Sequence, residues 1–294
     1  MHLLNKHLKT SFRQQKTLQR EVSFSGLGVH TGKKVLMRFL PAEENHGIFF
    51  RRTDLPGAPL IPASLASVCD TARSTTIGTP EAIVHTVEHV VAALHAYQID
   101  NLVIEVSSLE PPIADGGSIQ FVQMVEEAGI QEQQAKAPIV QVQHPLYWSQ
   151  GEIHLVVLPH EGYRVSYTLN YPQPAILQAQ FFSTMITPEQ FKAEIAPSRT
   201  FSLYEEISFL IDRGLIKGGS LDNAVVVHGD VVFSREGLRY PNEMVRHKIL
   251  DLVGDLSLIG IHFEGHVIAL RSGHGSNFEL AKKMYDYFTS TGSH

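Results

Sequence analysis

Residues 244–259 read MVRHKILDLVGDLSLI, a stretch with the pattern of an amphipathic helix in a chain of 294 residues. Its apolar residues recur at the three- and four-residue spacing of one helix face. They are Met244, Val245, Ile249, Leu252, Val253 and Leu256. Because such a face is buried against another layer, the pattern predicts a helix from Pro241 to Ile259 that packs onto the rest of the protein.

A polar stripe runs along the other side of this predicted helix. His247, Asp251 and Asp255 follow one another at four-residue intervals, so their side chains lie above one another. Imidazole nitrogen and carboxylate oxygen are ordinary zinc donors, and a catalytic zinc site uses three such ligands. On spacing alone, an ordinary solvated helix face is the favoured interpretation, because such pairs are common on helix surfaces.

A second helix is predicted upstream, from Thr79 to Tyr97. Thr79-Pro80-Glu81 has the residues of a helix start, and apolar residues continue at helical spacing as far as Tyr97. His85, Glu88 and His89 lie on its polar side.

Three interpretations of this polar side are open. His85 and His89 could bind zinc with Glu88 as the base, the His-x-x-Glu-His pattern of inverzincin peptidases. Alternatively, His89 alone binds the metal with His247 and Asp251, and Glu88 beside it is the base. A short match of this kind also arises by chance among surface residues.

Both halves of the chain run from strands to helices, which predicts an α+β fold of two domains. A helix followed by a strand comes after Glu88-His89 and again after Arg246-His247, a weak internal repeat. The polar segment Gln131 to Pro138 is the best candidate for a linker. We therefore expect an N-terminal domain at 1–132 and a C-terminal domain at 138–294.

Composition excludes several classes of protein. The formal charge of −6 provides no basic surface for nucleic acid, and Cys69, the single cysteine, can form no internal disulfide. The basic stretch Lys6 to Arg20 lacks the apolar run of about 7 to 15 residues that marks a secretory signal. We expect a cytoplasmic protein without stable membrane insertion, and peripheral membrane contact stays open.

Two shorter fragments carry candidate functional groups. His274, within Ser272-Gly273-His274-Gly275, follows a predicted strand from Val267 and is expected on a loop at the strand end, a common place for catalytic groups. Thr200, in Arg199-Thr200-Phe201, is uninformative alone because a threonine hydroxyl has many structural uses.

Together these fragments resemble the bacterial UDP-3-O-acyl-N-acetylglucosamine deacetylase family, the zinc enzyme of lipid A biosynthesis. The resemblance extends from about Val22 to near Phe278, with its motifs in order. They are Gly26-Leu27-Gly28-Val29-His30-Thr31-Gly32, Thr86-Val87-Glu88-His89, Ile99-Asp100-Asn101, Pro112-Ile113-Ala114-Asp115-Gly116, Arg199-Thr200-Phe201, Gly218-Gly219-Ser220, Val245-Arg246-His247-Lys248 and Ser272-Gly273-His274.

The resemblance implies two related β-α-α-β layers that pack through their helices, with the active site in the cleft between the domains. It implies hydrolysis of the N-acetyl group of a UDP-linked, singly acylated amino sugar, the committed step of lipid A biosynthesis. One Zn²⁺ ion, or Fe²⁺ as a substitute, is then held by His89, His247 and Asp251. We expect a monomer that binds this small molecule.

The remaining roles also follow from the resemblance. Glu88 is the general base, His274 a cation that stabilises charge and protonates the leaving amine, and Asp255 orients His274 or supports the metal ligands. Thr200 polarises the amide carbonyl, and Lys248 binds or orients the substrate.

Substrate-binding residues are expected mainly around 201–223, where an insert forms a passage for the acyl chain. Tyr171 packs against uracil, and Arg271 is a candidate contact to the diphosphate. The passage residues are Phe201, Leu203, Ile207, Leu215, Ile216 and Gly219.

The rival functions are the His85-based peptidase and a non-catalytic protein that binds nucleotide sugars or acyl chains through a structural metal. A structural zinc normally has four protein ligands, which disfavours the latter.

Overall fold

The computed structural model describes residues 4–290. The elements of the first half are β1 (Thr10–Leu18), β2 (Val22–Leu27), β3 (Lys34–Pro41), β4 (Ile48–Arg52), β5 (Leu60–Pro62), β6 (Val68–Asp70), β7 (Thr76–Thr79), β8 (Ala82–Val84), α1 (Glu88–Ala96), β9 (Leu102–Val106) and α2 (Ile119–Ala128).

The second half has nine further strands and four helices within the same described range. They are β10 (Ile130–Gln141), β11 (Leu146–Gln150), β12 (Ile153–Leu158), β13 (Tyr163–Leu169), β14 (Gln180–Met185), α3 (Pro188–Gln190), β15 (Phe201–Leu203), α4 (Tyr204–Asp212), β16 (Val225–His228), β17 (Val231–Phe233), α5 (Glu243–Ser257), β18 (His262–Leu270) and α6 (His274–Thr289). A π-helical turn, Phe191–Ile195, continues α3.

Two large sheets enclose the helices in this α+β fold. One has the strand order β2-β3-β9-β4-β5. The other has the order β1-β10-β18-β12-β11, and in it β13 also pairs with β18 and β14 pairs with β13. Helices α1 and α2 pack together, α2 contacts β2, and α5 packs against α6 and β13. Since α1 also packs against α5, the helices of the two halves meet between the sheets.

The fold also contains two smaller sheets of three strands each. Strands β6, β7 and β8 form one, and β15, β16 and β17 form the other. The buried side chains of both halves belong to one continuous apolar cluster. Within residues 4–290, no helix combines the length and apolar character that a bilayer-spanning helix needs.

The helix predicted from Thr79 begins later, so this start was wrong. Residues 76–84 form the β7–β8 hairpin, in which Ile77 pairs with Val84, and α1 begins at Glu88. Proline is as favourable in a tight turn as in a first helical turn, and β-branched residues favour strands. The three residues at Thr79-Pro80-Glu81 therefore fitted either structure, and pairing with β6 decided between them.

The segment Gln131 to Pro138 is also not the irregular linker that its composition suggested. It lies inside β10 and pairs with β1, from Gln131 opposite Thr17 to Pro138 opposite Phe12. Polar residues suit a strand with exposed side chains when its backbone groups are paired. The pairing also places β1, from the start of the chain, in the sheet of the second half. The domain division at 132–138 stays a prediction.

Two stacked histidines join the two halves of the chain. The rings of His95, on α1, and His262, on β18, lie 4.6 Å apart with an interplanar angle of 10°. Burial, followed by the charge of Arg13, lowers the pKa of His95 to about 4. Burial, followed by His95, likewise holds the pKa of His262 well below its usual value, although Asp100 lies 3.7 Å from its Nε2.

This stack predicts a loss of stability in mild acid. Unfolded His95 takes up a proton as pH falls through 6.5, whereas the folded protein resists protonation until about 4. The free energy of unfolding should therefore be highest above pH 6.5 and fall between 6.5 and 4, by on the order of 2 to 3 kcal/mol from His95. Urea unfolding at several pH values measures this.

The matched variants are His95→Phe and His154→Phe. The first removes one titrating ring from the stack and should reduce the dependence between pH 6.5 and 4, to which His262 and His247 still contribute. The second replaces an exposed histidine of β12 and should leave the dependence unchanged. An unchanged slope in His95→Phe would show that the stack does not cause the acid sensitivity.

Candidate metal centre and active-site cleft

The three predicted metal ligands lie together where α1 meets α5. One ligand atom from each of His89, His247 and Asp251 lies within 4.8 Å of the other two. Asp251 Oδ1 is 3.3 Å from His247 Nε2 and 3.7 Å from His89 Nε2. All three side chains are buried. Two imidazoles and one carboxylate are the donor set of a catalytic zinc site, which keeps one position for water or substrate.

Neighbouring groups orient the two predicted ligands on α5, His247 and Asp251, and set their charge states so that they can bind a cation. His247 Nδ1 donates to the Ser198 carbonyl at 3.0 Å, which turns Nε2 towards the other ligands. Burial, only partly opposed by Asp251, lowers the pKa of His247 to about 4 and keeps the ring neutral. Burial alone would raise the pKa of Asp251, but Lys248 and His247 outweigh it and hold that pKa well below its usual value. Lys248 Nζ donates to Asp251 Oδ2 at 2.7 Å.

Glu88 lies beside the metal group, at the first position of α1. Its side chain is buried, and its Oε2 accepts the backbone N–H of Thr75 at 3.0 Å. Burial raises the pKa of Glu88, although His274 and His89 oppose this shift. A carboxylate with a raised pKa beside a metal group is suited to accept a proton.

His274 and Asp255 form a hydrogen-bonded pair on the other side of Glu88. His274 Nδ1 donates to Asp255 Oδ2 at 2.9 Å, and His274 Nε2 is 3.9 Å from Glu88 Oε1. Burial alone would lower the pKa of His274, but Asp255 and Glu88 outweigh it and raise the pKa to about 9. The ring is therefore a cation at neutral pH.

His274 does not lie on a loop, as its glycine-flanked sequence suggested, but begins α6. Ser276 Oγ accepts the backbone N–H of Gly273 and donates to the carbonyl of Gly273, which closes the first turn. The sequence could not show this because Gly-His-Gly is unfavourable within a helix yet acceptable at its first turn.

A buried ion pair places the Ser198–Thr200 segment against α5. Arg199 Nε donates to Glu243 Oε1 at 2.8 Å, and Arg199 Nη2 donates to Glu243 Oε2 at 3.0 Å. Both side chains are almost completely inaccessible to solvent. The fork holds the carbonyl of Ser198 against His247 and leaves Thr200 at the cleft. Its importance was missed in the sequence because Arg199 and Glu243 are 44 residues apart.

A cavity of about 920 Å³ opens from the metal group. Most of the predicted site residues line it, namely Glu88, His89, Tyr171, Thr200, Phe201, Ile207, Ile216, Gly219, His247, Lys248, Asp251 and His274. Leu210, Ile211, Leu221 and Val226 also line it and extend its apolar wall. The helical spacing of Ile207, Leu210 and Ile211 was a signal that could have identified two of them.

Four predicted site residues lie outside this lining. Asp255 accepts a hydrogen bond from His274, and Leu203 packs against the core. Leu215 donates its backbone N–H to Leu210 in the turn after α4. Arg271 forms an ion pair with Glu152 at 2.6 Å.

His85, the extra ligand of the peptidase interpretation, is held elsewhere. It precedes α1, and its Nδ1 lies 2.7 Å from the Thr76 hydroxyl. The four-residue helical spacing that would join His85 to His89 is therefore absent. Within residues 4–290, a second group of possible ligands, formed by Glu88, Asp251 and His274, adjoins the first, and His85 belongs to neither.

An α+β fold that brings two histidines, an aspartate and a buried glutamate into one cleft defines a metal-dependent hydrolase. The model of the family UDP-3-O-acyl N-acetylglycosamine deacetylase matches residues 15–286. The chain belongs to this family.

Curated relatives carry the name UDP-3-O-acyl-N-acetylglucosamine deacetylase. The protein of Chlamydia felis is 48% identical over 274 residues, which cover 93% of this chain and 98% of the relative. The protein of Chlamydia pneumoniae is 47% identical over 275 residues, with 93% and 98% coverage. The protein of Chlamydia trachomatis serovar L2 is 45% identical over 274 residues, with 93% and 96% coverage.

The amount of bound metal distinguishes a site formed by His89, His247 and Asp251 from the peptidase site that would include His85. Replacing His247 with alanine removes one of three donors, so metal affinity should fall by at least about tenfold, the loss that follows from disturbing even an outer-shell partner. His85→Ala should retain the metal of the wild-type protein, because His85 bonds to Thr76 instead. Elemental analysis after dialysis measures both. Loss of metal from His85→Ala with retention in His247→Ala would contradict this assignment.

Proposed function

We propose that His89, His247 and Asp251 hold one zinc ion and that Glu88 is the general base of this deacetylase. The reaction converts UDP-3-O-acyl-N-acetylglucosamine and water to UDP-3-O-acyl-glucosamine and acetate. The observation that carries the proposal is the three ligand atoms within 4.8 Å of one another, next to Glu88 and His274 in a single cleft. Membership of the deacetylase family supports the choice of substrate.

The donor set suits zinc. Bound zinc supplies Lewis acidity that lowers the pKa of water and polarises the acetamide carbonyl. Two neutral imidazole nitrogens and a carboxylate oxygen also suit iron(II), which we regard as an alternative metal in the cell. The hydrogen bond from His247 to Ser198 and the ion pair of Asp251 with Lys248 orient these donors before the metal binds.

Glu88 takes the proton of the attacking water. Its Oε2 is engaged by the backbone N–H of Thr75, so Oε1 is the oxygen that accepts the proton. Burial opposes ionisation of this carboxylate and makes it a stronger base than an exposed glutamate. After His274 has protonated the leaving amine, the proton held by Glu88 passes to His274 Nε2, which lies 3.9 Å from Glu88 Oε1, and this restores both groups.

His274, held as a cation by Asp255, stabilises the negative charge that develops during attack and donates a proton to the leaving amine. Thr200, at the cleft wall, donates its hydroxyl to the acetamide oxygen. Lys248 remains charged beside Asp251 and orients the substrate.

The substrate lies along the cavity. Tyr171 and Phe201 form an edge-to-face pair with ring centres 6.3 Å apart, and we assign the uracil to the exposed face of Tyr171. Arg271 contacts the diphosphate after exchanging its partner Glu152. The acyl chain follows the apolar wall of the insert at 201–223, with Leu203 and Leu215 supporting the lining residues Phe201, Ile207, Ile216 and Gly219.

The wider setting of the enzyme completes the proposal. It acts as a monomer in the cytoplasm, on a small molecule and not on nucleic acid, with at most peripheral membrane contact. The first domain, 1–132, supplies Glu88 and His89, and the second, 138–294, supplies His247, Asp251 and His274. The formal charge of −6 supports the exclusion of nucleic acid.

Glu88→Gln tests the general base. The amide is nearly isosteric but cannot accept the proton, so kcat should fall by about 10² to 10⁴ while zinc content is retained. Acetate release and elemental analysis measure the two properties. Glu161→Gln, which makes the same change at an exposed position, should leave both unchanged. A zinc-loaded Glu88→Gln enzyme with wild-type kcat would exclude the base role.

Ile207→Trp tests the acyl passage. The larger side chain should narrow the cavity and lower kcat/KM for a long-chain substrate by at least about tenfold, as a mismatch of a few methylene groups in an apolar pocket does. An analogue with a very short acyl chain should be affected little. Leu60→Trp, at an exposed position of β5, is the control. Equal losses for long and short chains would place the acyl group elsewhere.

A further inference from the structure

Thr75 lies where the base and the acid of the site come together. It precedes β7 in the first half, and its side chain is buried beside α5 and α6. Its backbone N–H donates to Glu88 Oε2 at 3.0 Å. Its hydroxyl donates to Asp255 Oδ1 at 2.6 Å and lies 3.4 Å from His274 Nδ1. One residue thus contacts all three of these groups, which come from both halves of the chain.

Asp255 needs this hydroxyl because both of its oxygens are buried. Oδ2 accepts His274 Nδ1 at 2.9 Å and Asn277 Nδ2 at 2.8 Å. Oδ1 accepts Thr75 Oγ1. A buried carboxylate that loses a donor is left with an incompletely satisfied charge, so it shifts towards another donor or towards water. Such a shift would carry the imidazole of His274 with it.

The backbone of Thr75 is held as firmly as its side chain. Its carbonyl accepts the N–H of Val87 at 3.2 Å, immediately before Glu88. The carbonyl bond and the N–H bond to Glu88 form a closed link between Thr75 and the start of α1. The hydroxyl therefore extends from a rigid base, and a change confined to it need not disturb Glu88.

We infer that Thr75 is a positioning residue, whose backbone and hydroxyl fix Glu88 and the Asp255–His274 pair relative to each other across the cleft. The inference rests on the proposed roles of Glu88 and His274. Glu88 Oε1 and His274 Nε2 lie 3.9 Å apart, and both atoms must reach the same amide group of the substrate. Misplacing a reacting group by about 1 Å can lower a rate by about a hundredfold.

The neighbouring threonine offers a matched control. The Thr76 hydroxyl is also buried, but its partner is His85 Nδ1, at 2.7 Å, and not Asp255. Removing either hydroxyl deletes the same chemical group from adjacent buried positions. A general effect of burial or of β7 folding would appear in both variants, whereas a positioning effect would appear only at Thr75.

The experiment compares Thr75→Val, Thr75→Ala, Thr75→Ser and Thr76→Val in the full chain loaded with zinc. Because the lost hydrogen bond joins the hydroxyl to a charged group, kcat should fall by about tenfold to a hundredfold in the Val and Ala variants. Their KM and zinc content should stay close to wild type, and both variants should remain folded at the assay temperature with a somewhat lower melting temperature. Thr75→Ser, which keeps the hydroxyl, should recover most of kcat, and Thr76→Val should retain it.

Three results would overturn the inference. Wild-type kcat in Thr75→Val or Thr75→Ala would show that the hydroxyl is dispensable, and a loss as large in Thr75→Ser would show that the hydroxyl is not the cause. Loss of folding or zinc in both Val and Ala variants would assign Thr75 a structural role instead. Absence of acetate release from the wild-type enzyme would count against the proposed function itself.

Discussion

The whole site depends on a backbone contact between α1 and α5. A Cβ atom on Gly254 would lie only 2.2 Å from the carbonyl oxygen of Glu88, so the two helices approach more closely than any side chain allows. Gly254 lies about one helical turn after Asp251 and immediately before Asp255. This approach brings His89 and Glu88 of one half to the carboxylates of the other. A larger residue at position 254 would push α1 away from α5. It would thereby separate Glu88 and His89 from His247 and Asp251.

The close approach buries several charges that the surrounding structure must stabilise. Asp251 is stabilised by Lys248, and Asp255 by hydrogen bonds and by the cation of His274. Burying ions is costly unless hydrogen bonds and opposite charges satisfy them. The same fold therefore sets two histidines to opposite states, with His247 neutral and His274 charged. These states match the tasks that we propose for the two residues, binding a metal and donating a proton.

Much of the fold followed from periodicity, but choices between equally suitable structures did not. The apolar spacing around Leu252 correctly predicted α5. The start of α1 was misplaced because Thr79-Pro80-Glu81 suits a hairpin turn as well as a helix. The polar run Gln131 to Pro138 was mistaken for a linker, since its pairing with a strand more than 100 residues away leaves no local pattern.

The sequence by itself determined α5, the α+β class and, through its ordered motifs, the family, because these depend on local spacing and residue type. It also placed Glu88 next to His89 and Asp251 four residues after His247. Only the tertiary structure decided that these pairs face each other, and that Thr75 joins the base to Asp255. Those relations depend on contacts between residues up to 180 positions apart, which local sequence patterns do not specify.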